Sequence, residues 1–391
     1  MKFIDDIPIW GDPVDEGALS QIKMCKRTAA AVALMGDHHK GYAVPIGGVV
    51  AYEDKISPSG VGFDIACGNK AVLTDMPAAE ARSRIKSIMD DIWDRLSFGI
   101  GMKNRTVVDH DLYDDETWKL HPMKPLKDTA RNQLGTIGSG NHYVDVFVDE
   151  LERVWVGVHF GSRGLGHKTA THFLKAGGAK DGMDVEPLVL DVKSNLGADY
   201  LQCMKLAGRY AYAGRDWVCS TVAKILGAKI VEEVHNHHNF AWEEKHGGRK
   251  LWVVRKGATP AFPGQKGFVG GSMGDNSVIL EGVENREGAH SLYSTVHGAG
   301  RVMSRTAARG KVNFRTGKVL SPGAISREMM NSWIRERGVE LRGAGTDESP
   351  HCYKRLDEVL QHHKDTVRVL HTLTPIGVAM AGENEFDPYK D

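Results

Sequence analysis

Five short motifs that carry histidine, cysteine or aspartate lie far apart in the sequence, between residues 64 and 301. The five motifs are Asp64-Ile65-Ala66-Cys67-Gly68, Gly138-Ser139-Gly140-Asn141-His142, His159-Phe160-Gly161-Ser162-Arg163-Gly164, His237-His238-Asn239 and His297-Gly298-Ala299-Gly300-Arg301. A spread of this length excludes a local zinc finger, because such side chains act together only when folding brings them to one place. We therefore predict one α+β domain over residues 1–382 and a polar tail over residues 383–391.

The composition is that of a globular protein without a strong global charge. The 391 residues are 41% hydrophobic, which is enough for a large core. Because 50 Lys and Arg balance 50 Asp and Glu, a nucleic acid would have to bind at a local basic patch. The first six residues are not those of a signal peptide, and no window reaches about 18 apolar residues. We expect a cytoplasmic monomer with no membrane segment, whose five scattered cysteines are reduced.

Hydrophobic periodicity predicts a mixture of strands and helices. Strands are expected at residues 29–35, 49–52, 154–159, 251–255 and 277–280. Helices are expected at residues 77–96, 168–175, 198–226, 325–337 and 353–362. Several strands end directly in one of the motifs, whereas the helices carry none of their chemistry.

Asp64 and Cys67 lie three residues apart in a segment punctuated by glycines, which can bring a carboxylate and a thiolate to one side of a turn. With imidazoles, such groups suit a divalent transition metal, and a sulfur able to bridge suits two ions. The alternative is that Cys67 is a small buried hydrophobe and Asp64 a turn former.

His159 ends an apolar run and meets a glycine loop that contains Arg163. Strand ends that open into glycine loops are where open α/β sheets bind ligands, and arginine suits phosphate. A single histidine at a strand end is nevertheless often only a core residue. Residues 235–239 crowd three imidazoles into four positions, which suggests a metal, although not all three can be ligands.

Three glycine-rich stretches could accept a nucleotide. Residues 135–140 precede Asn141, whose amide could donate to an oxyanion. Residues 255–260 supply two cations before the glycines and serine of residues 270–277, which are typical of a nucleotide cradle but also of an ordinary loop. His297 lies against two glycines and Arg301.

Eight motifs taken together resemble, in order, the RtcB family of RNA ligases over roughly residues 28–382. They are Gly36-Asp37-His38-His39-Lys40-Gly41, Gly62-Phe63-Asp64-Ile65-Ala66-Cys67-Gly68, Gly138-Ser139-Gly140-Asn141-His142, His159-Phe160-Gly161-Ser162-Arg163-Gly164, His238-Asn239, Arg255-Lys256-Gly257-Ala258, Gly271-Ser272-Met273-Gly274 and residues 297–305. The resemblance implies a single domain of the RtcB type with a central cleft for two manganese ions.

Site residues follow from the resemblance. One ion would take Cys67, His159 and His238, and the other Asp64, Cys67 and His142, with Cys67 bridging. His297 would attack GTP and become guanylylated. The implied nucleotide contacts are Asn141, His142, Asp145, His238, Asn239, Gly270, Gly271, Ser272, Met273, Ser277, His297, Gly298, Ala299 and Gly300. Arg163 and Arg301 are candidates for RNA phosphates.

The implied reaction joins a 3′-phosphate or 2′,3′-cyclic phosphate RNA end to a 5′-hydroxyl end and converts GTP to GMP and diphosphate. Its role would be RNA repair or tRNA splicing. The residues leave open which RNA is joined and whether an activating partner protein is needed. The alternatives are a dinuclear metallohydrolase of cyclic phosphates, which would need no His297, and a non-catalytic RNA-binding relative, which would lose ligands.

Four positions depart from the family pattern. Asp145 replaces a guanine-binding glutamate, Ala381 takes the place of a guanine-side lysine in the sequence, Gly270 replaces a proline and Phe160 a small polar residue. A missing base contact weakens discrimination, because polar groups are then left unpaired. We therefore expect a higher GTP requirement than in relatives, or measurable use of ATP.

Overall fold

The computed structural model of the protein describes residues 1–180, 182–312 and 319–382, so the predicted tail over 383–391 lies outside the described residues. The strands β1 to β20 are, in chain order, Lys2–Ile4, Ile7–Ile9, Ala31–His39, Ile46–Tyr52, Lys55–Ile56, Gly68–Pro77, Tyr143–Asp149, Arg153–Phe160, Leu190–Asp191, Ile230–His237, Asn239–His246, Arg249–Lys256, Ala258–Pro260, Lys266–Val269, Ser277–Gly282, Ser294–Val296, Gly310–Val312, Val319–Pro322, Glu340–Ala344 and Val367–Gly382.

The helices α1 to α9 are Glu16–Lys26, Pro58–Val61, Ala78–Arg95, Lys127–Gln133, Arg163–Ala176, Asn195–Leu226, Arg305–Arg309, Arg327–Glu336 and Leu356–Gln361. Every predicted strand and helix is found, with shifted ends. The longest helix, α6, begins at Asn195 because Ser194 caps it, accepting a hydrogen bond from the Gly197 amide at 3.0 Å. It ends at Gly227, which adopts the left-handed conformation. In the described ranges, no helix is long and apolar enough to cross a membrane.

An eight-stranded sheet forms the centre of the fold. Its order is β10-β6-β8-β7-β20-β15-β14, and β19 pairs in parallel with β20. The valines at 154, 156 and 158 of β8 pack with α3 and α6 on one face. Trp155 packs with Phe147 and Phe268 on the other face. Strand alternation therefore gives β8 a core on both sides, as expected for a central strand.

A second, six-stranded sheet has the order β1-β2-β3-β4-β12-β11. Alternate residues of β3 and β4 face two different cores, with Leu34 and Val50 on the side of α6 and Met35 and Val49 on the other. The two sheets join where β10 ends at His237 and β11 begins at Asn239. His238 therefore lies at the junction, and the described residues form one mixed helix and sheet domain.

Candidate active site

A cavity of about 330 Å³ lies at this junction and is lined by most of the predicted site residues. They are Asp64, Cys67, Asn141, Asp145, His159, His238, Asn239, Gly270, Gly271, Ser272, Met273, His297, Gly298, Ala299, Gly300 and Arg301. The His142 Nε2 lies 3.0 Å from the carboxylate of the lining residue Asp64, and Ser277 accepts a hydrogen bond from the Gly271 amide at 3.0 Å. Folding therefore brings together residues as distant in sequence as Asp64 and Arg301.

The loop from α2 to β6 places Asp64 and Cys67. The Cys67 amide donates to the Asp64 carbonyl at 3.0 Å, and Ala66 between them has φ of 61°, which few residues other than glycine adopt. Gly161 allows this turn to approach β8, since a β-carbon there would lie 2.2 Å from the Asp64 carboxylate. The turn presents the thiol and the carboxylate to the same place, as the sequence predicted.

Cys67, His142 and His159 form a compact set of potential ligands. Their ligand atoms lie within 4.8 Å of one another. The Cys67 Sγ is 3.6 Å from the His142 Nε2 and 3.4 Å from the His159 Nε2. Asp64 Oδ2 lies 3.0 Å from the His142 Nε2, and the His238 ring centre lies 5.0 Å from that of His159. The five predicted ligands therefore cluster in the fold.

Asn69 orients His159. Its Nδ2 donates to the Phe268 carbonyl at 2.8 Å, so its Oδ1 faces the His159 Nδ1 at 2.6 Å and accepts a hydrogen bond from it. The His159 Nε2 is then unprotonated and faces Cys67. An outer contact of this kind is typical of metal-binding histidines.

Strand alternation points His238 in a different direction from the neighbouring His235 and His237. His235 and His237 share one face, where both accept hydrogen bonds from Arg215 at 2.8 and 2.9 Å. His238 faces the cavity instead. Its Nδ1 is buried and has no hydrogen-bond partner within the described part of the chain. Of these three histidines, only His238 is therefore available as a ligand.

The protonation states of Asp64 and of two of the histidines suit metal binding. Burial lowers the pKa of His159 and of His238, so both imidazoles are neutral. Burial alone would raise the pKa of Asp64, but the hydrogen bond and charge of His142 and the charge of Arg163 hold it well below its usual range. Burial and the neighbouring Asp64 carboxylate raise the pKa of the Cys67 thiol.

His297 is held by Asp37 of β3. The Asp37 Oδ2 accepts hydrogen bonds from the His297 main-chain amide at 2.9 Å and from its Nδ1 at 2.6 Å. Burial alone would raise the pKa of Asp37, but the contacts with His297 lower it, so the carboxylate stays charged. Because Nδ1 carries the proton, Nε2 keeps its lone pair. The His297 ring centre lies 5.0 Å from that of His238.

The two predicted RNA contacts have partners inside the protein. Arg163 Nη2 lies 3.0 Å from the His142 Nδ1, and its other nitrogens donate to main-chain carbonyls. Arg301 lines the cavity while it donates to the Asp347 carbonyl at 2.8 Å and the Tyr353 hydroxyl at 2.9 Å. Arg301 is therefore the better placed of the two to meet an RNA phosphate, and both roles stay predictions.

A second group of potential ligands lies elsewhere, at Asp149, Glu150 and His371. The Asp149 carboxylate already accepts hydrogen bonds from Arg153 and Trp155, and Glu150 pairs with His371 at 2.7 Å. These acceptors are satisfied within the protein, so this group is an ion-pair network and not a second metal centre.

Comparison with known proteins gives the family. A family model described as tRNA-splicing ligase RtcB matches residues 18–381. The chain belongs to the RtcB family. The tRNA-splicing ligase RtcB of Thermococcus kodakarensis is 32% identical, with 88% of this chain and 86% of that protein covered. The RNA-splicing ligase RtcB of Escherichia coli K12 is 30% identical, with 88% of each chain covered. The RNA-splicing ligase RtcB homolog 1 of Entamoeba dispar is 28% identical, with 86% of this chain and 77% of that protein covered.

One departure from the RtcB pattern has a structural explanation. This departure, expected from the resemblance, is Gly270, where a β-carbon would lie 2.3 Å from the Tyr143 hydroxyl. Gly270 therefore leaves room for the Tyr143 side chain, which lines the same cavity. Phe160, another departure, is buried against α6 and faces away from the ligands.

The structure corrects the expectation for Ala381. On β20, Val378 and Met380 line the cavity opposite Asp145 and Tyr143, whereas Ala381 faces the core on the other side of the sheet. Because Ala381 packs in the core and is not among the lining residues, the structure gives no support for a weaker GTP preference at this position. Asp145 does line the cavity, where burial raises its pKa well above the usual range.

Sequence reasoning gave no role to three residues that organise the RtcB site. Asp37 lies within one of the motifs, and a charged residue that continues an apolar strand is itself a signal of function. Asn69 and Arg215 carried no local signal, because their contacts join segments that are distant in sequence. By contrast, Lys256 was already identified as one of the two cations at residues 255–260, and it lines the cavity.

Proposed function

We propose that this RNA-splicing ligase joins an RNA 3′-phosphate end to a 5′-hydroxyl end through a guanylylated His297, with GTP and two Mn²⁺ ions. The observation that carries the proposal is the juxtaposition of His297, oriented by Asp37, with the cluster of five potential ligands. A 2′,3′-cyclic phosphate end would first be opened by water to a 3′-phosphate.

The donor set fits the proposed metals. A thiol, three imidazoles and a carboxylate are ligands for a divalent transition metal, and the buried Nδ1 of His238 lacks a partner among the described residues. Cys67, His159 and His238 would hold one ion, and Asp64, Cys67 and His142 the other. When bound, the ions supply Lewis acidity and neutralise phosphate charge.

His297 performs the covalent step. Its Nε2 attacks the α-phosphorus of GTP, the bond to the bridging oxygen of the β-phosphate breaks, and diphosphate leaves. Asp37 keeps the proton on Nδ1 and stabilises the positive charge that the ring gains. An oxygen of the RNA 3′-phosphate then attacks the phosphorus and displaces Nε2. Finally, the 5′-hydroxyl oxygen attacks the activated RNA phosphorus and its proton passes to solvent. The bond between that phosphorus and the GMP oxygen breaks, and GMP leaves.

The glycine loops accept the nucleotide. Gly270 and Gly298 form a bridge between the end of β14 and the His297 loop, so main-chain groups of both loops line the cavity. Such groups approach a phosphate closely when no side chain intervenes. Asp145, further along the same face of β7, is the candidate for a base contact.

A ligation assay tests the proposal. RNA with a 3′-phosphate or cyclic phosphate end is incubated with 5′-hydroxyl RNA, GTP and Mn²⁺. We expect joined product that requires both cofactors and disappears in His297→Ala. Conversion of the cyclic phosphate to a free phosphate without joining, equally in His297→Ala, would instead identify the hydrolase alternative.

A further inference from the structure

Arg215 of α6 has an unusual position for a charged residue. Its side chain is fully buried. Its guanidinium makes four hydrogen bonds, to the carbonyls of Ala66 and Phe160 at 3.1 and 2.6 Å and to the rings of His235 and His237 at 2.8 and 2.9 Å. All four acceptors lie in three segments that are distant in sequence.

Each of these segments carries a proposed metal ligand directly next to the acceptor. Ala66 precedes Cys67, Phe160 follows His159, and His237 precedes His238. The Ala66 carbonyl belongs to the residue with φ of 61°, so Arg215 holds the strained turn that presents Cys67. One side chain thus contacts the residue next to each of three proposed ligands.

The contacts are not explained by an ion pair. No carboxylate of the described residues forms an ion pair with Arg215, and the rings of His235 and His237 accept hydrogen bonds from it. A buried cation without a counter-charge costs free energy unless its donors are satisfied. The planar guanidinium of arginine has five N–H donors, so it can donate to several carbonyls and rings at once. The ammonium group of a lysine cannot do this.

We propose that Arg215 is a positioning residue of the metal centre, which sets the spacing of Cys67, His159 and His238 without touching the ions. The inference rests on the proposed function, because it assumes that these three side chains bind Mn²⁺. A residue in the shell behind the ligands acts on metal affinity, typically by about 10- to 100-fold.

The test is a Mn²⁺ titration of the full chain without GTP, in which free Mn²⁺ is followed by electron paramagnetic resonance. We compare the unaltered chain with Arg215→Lys and with Val222→Ala, a core change about two turns further along α6. Melting temperatures of the metal-free proteins are measured in parallel. For Arg215→Lys we expect the Kd for Mn²⁺ to rise by about tenfold or more.

In the same variant, guanylylation should need correspondingly more Mn²⁺ and should recover when Mn²⁺ is raised. Val222→Ala should lose stability with no change in the Kd for Mn²⁺. An unchanged Kd in Arg215→Lys, or an equal rise in Val222→Ala, would overturn the inference. If Arg215→Lys does not fold, His237→Asn removes the acceptor ring beside His238, and it must raise the Kd by about threefold or more to sustain the inference.

Failure of the proposed function gives a different result. In that case the unaltered chain binds no Mn²⁺ at the cluster, and Cys67→Ala has the same titration curve as the unaltered chain. If the unaltered chain binds Mn²⁺ at the cluster but with the same Kd as Arg215→Lys, only the role of Arg215 is rejected.

Discussion

The Asp37 carboxylate accepts a hydrogen bond from the His297 Nδ1 at 2.6 Å, and the two residues are 260 positions apart in the chain. The same oxygen also accepts from the His297 amide, so both the ring and its backbone are fixed. The pair resembles in geometry the carboxylate and imidazole of hydrolase triads, in which the carboxylate sets the tautomer. In the proposed reaction, this contact would leave the Nε2 of His297 as the nucleophilic atom.

Asp37→Asn tests the tautomer. An amide of the same shape can donate a hydrogen bond to Nδ1 and so place the proton on Nε2, which removes the nucleophile. We expect the guanylylation rate to fall by about 10²- to 10⁴-fold while Mn²⁺ binding is retained. Rates measured at saturating GTP decide the point, and a loss of less than about threefold would show that Asp37 is not needed.

Cys67→Ala tests the shared ligand. A thiolate that belongs to both ions affects both when it is removed, so we expect manganese content to fall further than in His142→Ala or His238→Ala, and guanylylation to be abolished. Manganese per chain is measured by mass spectrometry after gel filtration. Cys203→Ala, Cys219→Ala and Cys352→Ala, whose thiols are buried elsewhere, serve as controls and should keep full metal content.

Gly270→Ala tests the fit of Tyr143. The added β-carbon would lie 2.3 Å from the Tyr143 hydroxyl, and overpacking of this kind costs about 1–3 kcal/mol of unfolding free energy. Tyr143→Phe removes the hydroxyl, so the double variant should be more stable than the sum of the two single changes predicts. Urea unfolding of all four proteins measures the coupling, and strict additivity would contradict the steric account.

Lys256 makes stability depend on pH. Burial lowers the pKa of Lys256 to about 8, below the value of 10.5 for an exposed lysine. Between these values the unfolded chain binds more protons than the folded chain, so the unfolding free energy should rise with pH. The unaltered protein should gain up to about 3 kcal/mol relative to Lys256→Met between about pH 8 and 10.5, and nothing below about pH 7. A constant difference across this range would show that Lys256 titrates normally.

The strands and helices could be predicted from the sequence because hydrophobic periodicity is a local signal. The clustering of the ligands could be predicted because their residue types are also read locally. Strand β8 and helix α6 were both recognised. Strand β8 extends one residue further at each end, to Arg153 and Phe160, and α6 begins three residues earlier than predicted because Ser194 caps it. Strand β3 continues through Asp37 to His39 because Asp37 bonds to the distant His297 loop, which no local pattern reveals.

Side-chain direction was the part that sequence could not supply. The resemblance placed Ala381 at the position of a guanine-side lysine, but the register of β20 turns it to the opposite face and brings Met380 to the cavity. Likewise, residue type alone did not distinguish the histidines at 235, 237 and 238, and only the resemblance selected His238. In the structure, His235 and His237 accept hydrogen bonds from Arg215. Nucleotide preference therefore remains a prediction that depends on Asp145.

Transfer of label from GTP tests the central claim most directly. The protein is incubated with Mn²⁺ and GTP labelled at the α-phosphate, denatured, and separated on a gel, and the labelled peptide is mapped. The account predicts one acid-labile phosphoramidate at His297 in the unaltered chain and none in His297→Ala, with RNA 3′-phosphate discharging the label. Equal labelling of His297→Ala, or label from the γ-phosphate, would contradict it.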